Sequence, residues 1–191
     1  RASDTASIVL QDARVPFENL LGSAEVIKEA TKGFKGAMAT FDATRPLVAA
    51  TAIGVARAAL EELKSILEKQ GVVIRYGIPR QKMTNVEREI IDMEVMLRSA
   101  WLLILKAVWM ADNKRPNSKE ASMGKAKAAR VGSDITLKAV ELAGTTGYSE
   151  QTLLEKGARD SKILDIFEGT QQIQQLIVAR QVLGKSSSEL K

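Results

Sequence analysis

The chain of 191 residues contains no cysteine and no histidine. Without cysteine there are no disulfides and no thiolate metal sites. Without histidine, the commonest general base and the commonest metal ligand are both missing. A helical scaffold that holds a metal through inward Glu/His pairs is therefore disfavoured, and we expect no metal site. Acid–base chemistry near neutral pH falls to carboxylates, Lys or Tyr with displaced pKa values. Aromatic residues make up only 4% of the chain, and Lys and Arg form no long run. The net charge of +5 is thus spread out, which argues against a nucleic-acid partner. The apolar run around Trp101–Ile104 is far too short to span a membrane. No signal-peptide pattern is visible, and the chain opens on Arg1 rather than Met, which leaves sequence ahead of it open.

What is present is a patterned, 45% hydrophobic sequence. At this length a chain suits one domain of ordinary or slightly large size, and it buries roughly 70% of its unfolded surface without staples. Ala6–Leu10 reads as a short strand, followed by an extended segment punctuated by Pro16 and Gly22. A lone strand cannot bury its faces, and the remaining sequence supplies no sheet. Residues 1–24 therefore read as the remnant of a preceding β-domain. From about Glu25 the texture is helical, with Pro46 expected to break or kink the ladder. Beyond it Ile53, Ala56, Leu60, Leu63 and Leu67 form a core-facing stripe. A loop at Gly71–Pro79 leads to a second helix, with Val86, Ile90, Met93, Leu97, Ala100, Ile104 and Ala107 on one face. Asn117 or Ser118 caps a third helix running to about Ala143, with Ala128, Val131, Ile135 and Leu142 inward. The run Gly144–Tyr148 breaks it. A fourth helix spans Thr170 to about Leu183, with Gly184 closing it and a polar tail over 186–191. The fold class expected is all-α: an antiparallel four-helix bundle over 25–185 with a short N-terminal extended remnant.

The stretch Ile166–Ile173 concentrates chemistry. Thr170 is a good N-cap, Gly169 permits a sharp turn just before it, and Ile173, Leu176, Ile177 and Leu183 recur at helical spacing. Glu168 then stands on a bend beside helix-terminal N–H groups, which attract anions. Spacing alone leaves two readings: an exposed carboxylate near a helix start, or one aimed into a cavity.

Four islands of sequence, in order, carry a resemblance: Val15–Gly22; Gly33–Phe34 through Phe41–Pro46; Gly144–Tyr148; and Arg159–Asp160 through Ile166–Thr170 with Ile173–Gln174. Together they resemble the C-terminal part of the acyl-CoA dehydrogenase family, the second and fourth being the most specific. The resemblance covers essentially the whole chain. It implies a C-terminal helical bundle that in the family follows an N-terminal helical domain and a middle β-domain.

The implied reaction oxidises an acyl-CoA thioester to the trans-2-enoyl-CoA. A glutamate removes the α-proton while a β-hydride passes to flavin N5, and Glu168 matches that glutamate. The thioester α-proton is weakly acidic, so a desolvated carboxylate with a raised pKa suits the task, and the developing enolate oxygen needs donors. Thr170 and Gln172 match positions that contact FAD. Arg45 matches an arginine near the substrate and the catalytic carboxylate; read without the resemblance it is a surface Arg before a proline. Asp42 and Thr44 would shape its turn. Phe41 reads as core packing, or as the wall of the acyl channel that the family places along this helix, and Gly169 joins the substrate-binding set. The resemblance further implies FAD as cofactor, a homo-oligomer or a heteromer with a related subunit, and electron-transfer flavoprotein as electron acceptor. It implies a cytoplasmic protein in a bacterium, or one of the mitochondrial matrix in a eukaryote.

The departures fall on one side. The family usually shows an Arg four residues before a Phe-Gly pair, reaching the FAD of a neighbouring subunit. Here Tyr76–Gly77 stands for the pair, Val73 occupies the Arg position, and Arg75 is two residues out of register. Thr84 replaces a Gln, Glu141 replaces another, and Thr145 replaces a Gly. A carboxylate at 141 would repel phosphates. Arg75 and Tyr76 remain the candidates for the neighbour's cofactor. Either the chain has drifted, or its partner is a related subunit that supplies the missing half. In the family two of the site's three walls come from the other domains, so the 191 residues alone are expected to be inactive. The alternative function is a non-catalytic oligomerisation or regulatory subunit.

Overall fold

The computed structural model describes residues 6–19, 31–186 and 189. The chain divides into two compact units, Arg1–Ala37 and Met38–Lys191. In the first, residues 6–10 form neither helix nor strand, and a 3-10 turn covers Phe17–Asn19. Among the described residues no strand occurs, so the strand expected at Ala6–Leu10 has no ladder to join. The helix onset expected near Glu25, and Leu20–Gly22 of the first island, lie outside the described residues.

The rest is all-helical: α1 (Thr31–Lys69), α2 (Asn85–Asp112), α3 (Ser118–Ala143), α4 (Thr145–Tyr148), α5 (Leu154–Ser161) and α6 (Gln171–Leu183). Pro46 does not break α1, which runs through it. A proline inside a helix removes one backbone bond and costs about 3 kcal/mol or more. Burial offsets that loss: Arg45, Pro46, Ala49, Ala52, Ile53, Ala56, Leu60, Leu63 and Leu67 form the inward side of the helix. Thr44 and Arg45 accordingly sit on a helix, not in a turn.

Helix α2 begins with a capping box. The Thr84 hydroxyl accepts from the Glu87 N–H and the Glu87 carboxylate accepts from the Thr84 N–H. The pairs Asn117–Ala107 and Gly124–Ile104 rise along α3 as they fall along α2, so these two helices are antiparallel. Asn117 takes the N-cap position of α3, but its amide turns away to donate to the Ala107 carbonyl at 3.0 Å. Helix α1 packs on α3 where Gly132 meets Ala52, and it is tied to α2 by the Lys64–Glu94 ion pair. The core combines the α1 stripe with Ile90, Met93 and Ile104 of α2, Ala128, Val131 and Ile135 of α3, and Leu154 and Leu164.

Two short elements were not visible in the pattern. After α3, Gly147 packs so closely that a Cβ would lie 2.7 Å from the Val140 carbonyl oxygen, which lets α4 fold back on the end of α3. Helix α5 follows and is joined to α3 by the Thr136–Ser161 hydroxyl pair at 3.0 Å. Helix α6 differs from expectation in its buried face. Ile173, Leu176 and Leu183 are exposed, and Gln174 is the residue it buries. No helix among the described residues is long and apolar enough to cross a membrane.

Candidate active site

Thr170 is the N-cap of α6, its hydroxyl accepting from the Ile173 N–H at 3.4 Å. The two residues before it have left-handed backbone: Glu168 at φ 58° and Gly169 at φ 94°. Gly169 adopts this freely. A Cβ there would also lie 2.6 Å from the Gln174 amide nitrogen. For a glutamate the same region costs about 1–2 kcal/mol, and such residues persist only where their surroundings hold them.

The surroundings are specific. Gln174, fully buried, donates from Nε2 to the Glu168 carbonyl at 3.0 Å and to the Gly169 carbonyl at 3.1 Å. Lys125 of α3, also fully buried, donates from Nζ to the Gly169 carbonyl at 2.7 Å. The half-buried Glu168 side chain accepts at Oε2 from the Thr44 hydroxyl of α1 at 2.7 Å. Helices α1, α3 and α6 thus converge on the Glu168–Gly169 turn, α1 through the carboxylate and the other two through backbone carbonyls.

Arg45, next to Thr44, is 3% exposed. Its guanidinium pairs with Asp42 and lies 5.9 Å from the Phe41 ring centroid, while its buried Nε has no protein partner. The surface-arginine reading is excluded. Burial lowers the Lys125 pKa, and Arg45 lowers it further; the charges of Asp165 and Glu168 act the other way. Lys125, Arg45, Asp165 and Glu168 therefore form one electrostatic cluster. Gln172 is exposed on the first turn of α6, where the leading N–H groups have no intrahelical acceptor.

Arg75 and Tyr76 lie elsewhere, on the loop after α1. From Thr44 to the end of α1 at Lys69 a helix rises about 1.5 Å per residue, or roughly 37 Å. Arg75 grips the Glu87 carboxylate at 2.6 and 2.8 Å. Hydrogen bonds from the Arg75 guanidinium, then from the Thr84 N–H, hold Glu87 well below the usual carboxylate range. The Tyr76 hydroxyl donates to Glu94 at 2.8 Å. Glu141 pairs with Lys138 at 2.7 Å. The expected site residues therefore form two groups, one around Glu168 and one at the far end of α1.

Sequence reasoning did not single out Lys125, and Gln174 stood in the fourth island without a role. Lys125 falls between Ala121 and Ala128 at spacings of four and three, on the face that α3 buries. That register was the available signal. A groove of about 700 Å³ lies between α3 and α6, lined by Met123, Ala126, Val178 and Val182 among others, and Glu168 is not part of its wall.

Comparison with known proteins identifies the family. Residues 31–183 match the family described as acyl-CoA dehydrogenase, C-terminal domain. The chain is 37% identical over 183 residues to the mitochondrial short-chain specific acyl-CoA dehydrogenase of Mus musculus, covering 96% of this chain and 42% of that protein. It superposes on butyryl-CoA dehydrogenase from Megasphaera elsdenii with a TM-score of 0.78 and 34% identity, over 92% of this chain and 43% of the other. A chain in the structure of the electron transferring flavoprotein of Acidaminococcus fermentans gives a TM-score of 0.78 and 31% identity, over 92% and 44%. The sequence thus spans less than half the length of these proteins. On the extent of the match, the chain belongs to the acyl-CoA dehydrogenase family, whose C-terminal domain its residues 31–183 form.

Proposed function

We propose that this chain forms the base-bearing C-terminal portion of an FAD-dependent acyl-CoA dehydrogenase that converts an acyl-CoA thioester to the trans-2-enoyl-CoA. The observation that carries this reading is the Glu168 carboxylate. It stands on left-handed backbone ahead of α6, is hydrogen-bonded by Thr44, and is backed by buried donors. Glu168 takes the thioester α-proton. Thr44 orients the carboxylate, and Arg45 adds a buried positive charge beside the acyl group. Phe41 and Gly169 shape the substrate's approach. Backbone N–H at the turn donates to the developing enolate oxygen.

The donor set on this side suits a flavin: first-turn amides of α6, the Thr170 cap and the exposed Gln172 amide. Thr170 and Gln172 would hold the cofactor used with Glu168. Arg75 and Tyr76, at the other end of α1, would serve the cofactor of a neighbouring subunit. Bound FAD supplies the hydride acceptor.

Within this reading α1, α2, α3 and α6 form the antiparallel four-helix bundle over 25–185, 186–191 is a polar tail, and residues 1–24 continue from a β-domain. The remaining walls of the site come from domains that the matched relatives carry outside the aligned region, so this chain alone is inactive. Electron-transfer flavoprotein is the acceptor, in keeping with the likeness to the Acidaminococcus structure. The compartment follows the source, mitochondrial matrix or bacterial cytoplasm.

The test uses the holoenzyme that contains this chain, with any partner subunit. Acyl-CoA is expected to bleach the flavin absorbance, and Glu168→Gln to retain the flavin while abolishing the bleaching. Normal bleaching by that variant would place the base elsewhere.

Two features favour a second role. The outer face of α2 exposes Leu102, Leu105 and Trp109, and Arg75 is out of the family register. A subunit that serves assembly or regulation within a heteromer fits both facts.

A further inference from the structure

The reading above uses Lys125 only as a buried donor behind Glu168, yet it is the largest fully buried side chain of the described residues. Burial of an ammonium disfavours its charge. An apolar side chain of similar volume would fill the same space on α3 without that penalty. What lysine adds is a charge-assisted donor, and its acceptor is the carbonyl of Gly169, the residue directly after Glu168, at 2.7 Å. The negative groups facing it are Asp165, from the 3-10 turn Lys162–Asp165, and Glu168 itself; Arg45 of α1 faces it with like charge.

Gln174 completes the arrangement from α6. Its Nε2 bridges the Glu168 and Gly169 carbonyls at 3.0 and 3.1 Å. Both peptide oxygens of the left-handed pair are thus held by fully buried donors on two different helices. A carboxylate on such a turn points where the turn points it, since the direction of Cβ follows the backbone. Resting on the functional reading given above, we propose that Lys125 is a positioning residue: with Gln174 as its second jaw, it clamps the Glu168–Gly169 backbone and so aims the carboxylate at the substrate α-carbon.

Displacing a reacting group by about 1 Å lowers a rate on the order of 100-fold. In the holoenzyme containing this chain, Lys125→Met is expected to slow flavin bleaching by acyl-CoA on the order of 10- to 100-fold. KM and FAD content should stay within about threefold of wild type, since Lys125 is fully buried and its amine is engaged by the Gly169 carbonyl. The deuterium isotope effect of α-deuterated substrate should rise, because proton removal becomes more rate-limiting. A filler of the core alone would lower flavin content or melting temperature and leave the rate per bound flavin and the isotope effect unchanged. If Lys125→Met does not accumulate as folded protein, Gln174→Met removes the other jaw and is expected to give the same drop in kcat at unchanged KM.

Wild-type bleaching per bound flavin, in Lys125→Met or in Gln174→Met where the first does not fold, overturns the clamp. Glu168→Gln, run alongside, separates the two failures. An active Glu168→Gln protein removes the functional reading, whereas an inactive one beside a fully active Lys125→Met protein removes only the clamp.

Discussion

Glu168 is a poor residue for left-handed backbone, and it adopts that backbone where α1, α3 and α6 meet. The next residue has no freedom to be anything but glycine. Gly169→Ala would place a methyl at φ 94° and 2.6 Å from the Gln174 amide nitrogen. We expect a loss of about 1–2 kcal/mol, read as a melting point lower by about 2–8 °C for a chain of this size, with reduced activity because the turn shifts. Thr44→Val acts more locally. It deletes the hydroxyl that donates to Glu168 Oε2 at 2.7 Å while keeping the volume. Hydrogen bonds to charged groups are worth about 1.5–3 kcal/mol when buried, and less in this half-exposed position. A drop of about tenfold in kcat is expected, with KM little changed, in steady-state assays of the holoenzyme. The glutamate and its glycine were legible as a motif. The threonine was legible only as a neighbour of Arg45, because nothing local joins residues 124 positions apart.

At the scale of elements, the helix ends repay attention. Thr84 is the N-cap of α2, reciprocated by Glu87. Glu87 also accepts from the Arg75 guanidinium, which together with the Thr84 N–H holds its pKa below its ordinary value of 4.5. The unfolded chain therefore binds the proton at higher pH than the native protein does. Stability from this carboxylate is complete above the unfolded value and is lost as pH falls past it toward the depressed native value. Glu87→Gln removes that charge. In urea titrations the gap in midpoint between wild type and Glu87→Gln should be widest near neutrality and narrow as pH falls from about 5 to about 3. A gap that widens toward acid would contradict the assignment. The helices themselves were readable from apolar spacing because α1, α2 and α3 each bury one continuous stripe. Helix α6 was readable in its cap and not in its face. Ile173, Leu176 and Leu183 are exposed, Ile177 is half-buried, and the one fully buried residue is an amide, since that amide satisfies the carbonyls of the turn.

For the whole molecule, the separation of the site residues matters most. Glu168 meets α1 at Thr44, whereas the Tyr76 ring lies 5.8 Å from Lys64, roughly 30 Å further along the same helix. One flavin does not reach both sets within one chain. Shared sites would make defects complementary. Subunits carrying Glu168→Gln and subunits carrying Arg75→Met, assembled together, are expected to recover bleaching that neither homo-oligomer has. Recovery no greater than the sum of the two alone would mean that each chain builds its site unaided. The FAD count distinguishes the assemblies: one per chain in a pure homo-oligomer ends the heteromer reading, and fewer flavins than chains supports it.

Local chemistry in the sequence determined the four main helices, the Thr170 cap and Gly184 stop of the last one, the all-helical class and the motif around Glu168. Each depends on residues within a turn or two of one another, where spacing and hydrogen-bond capacity speak directly. Tertiary structure alone decided that Pro46 stays inside α1, that Arg45 is buried rather than on the surface, and that Lys125 and Gln174 face the turn rather than water. The reason is physical. A proline, a guanidinium, an ammonium or an amide is disfavoured in an interior by its own nature, and only partners brought from distant parts of the chain reverse that preference.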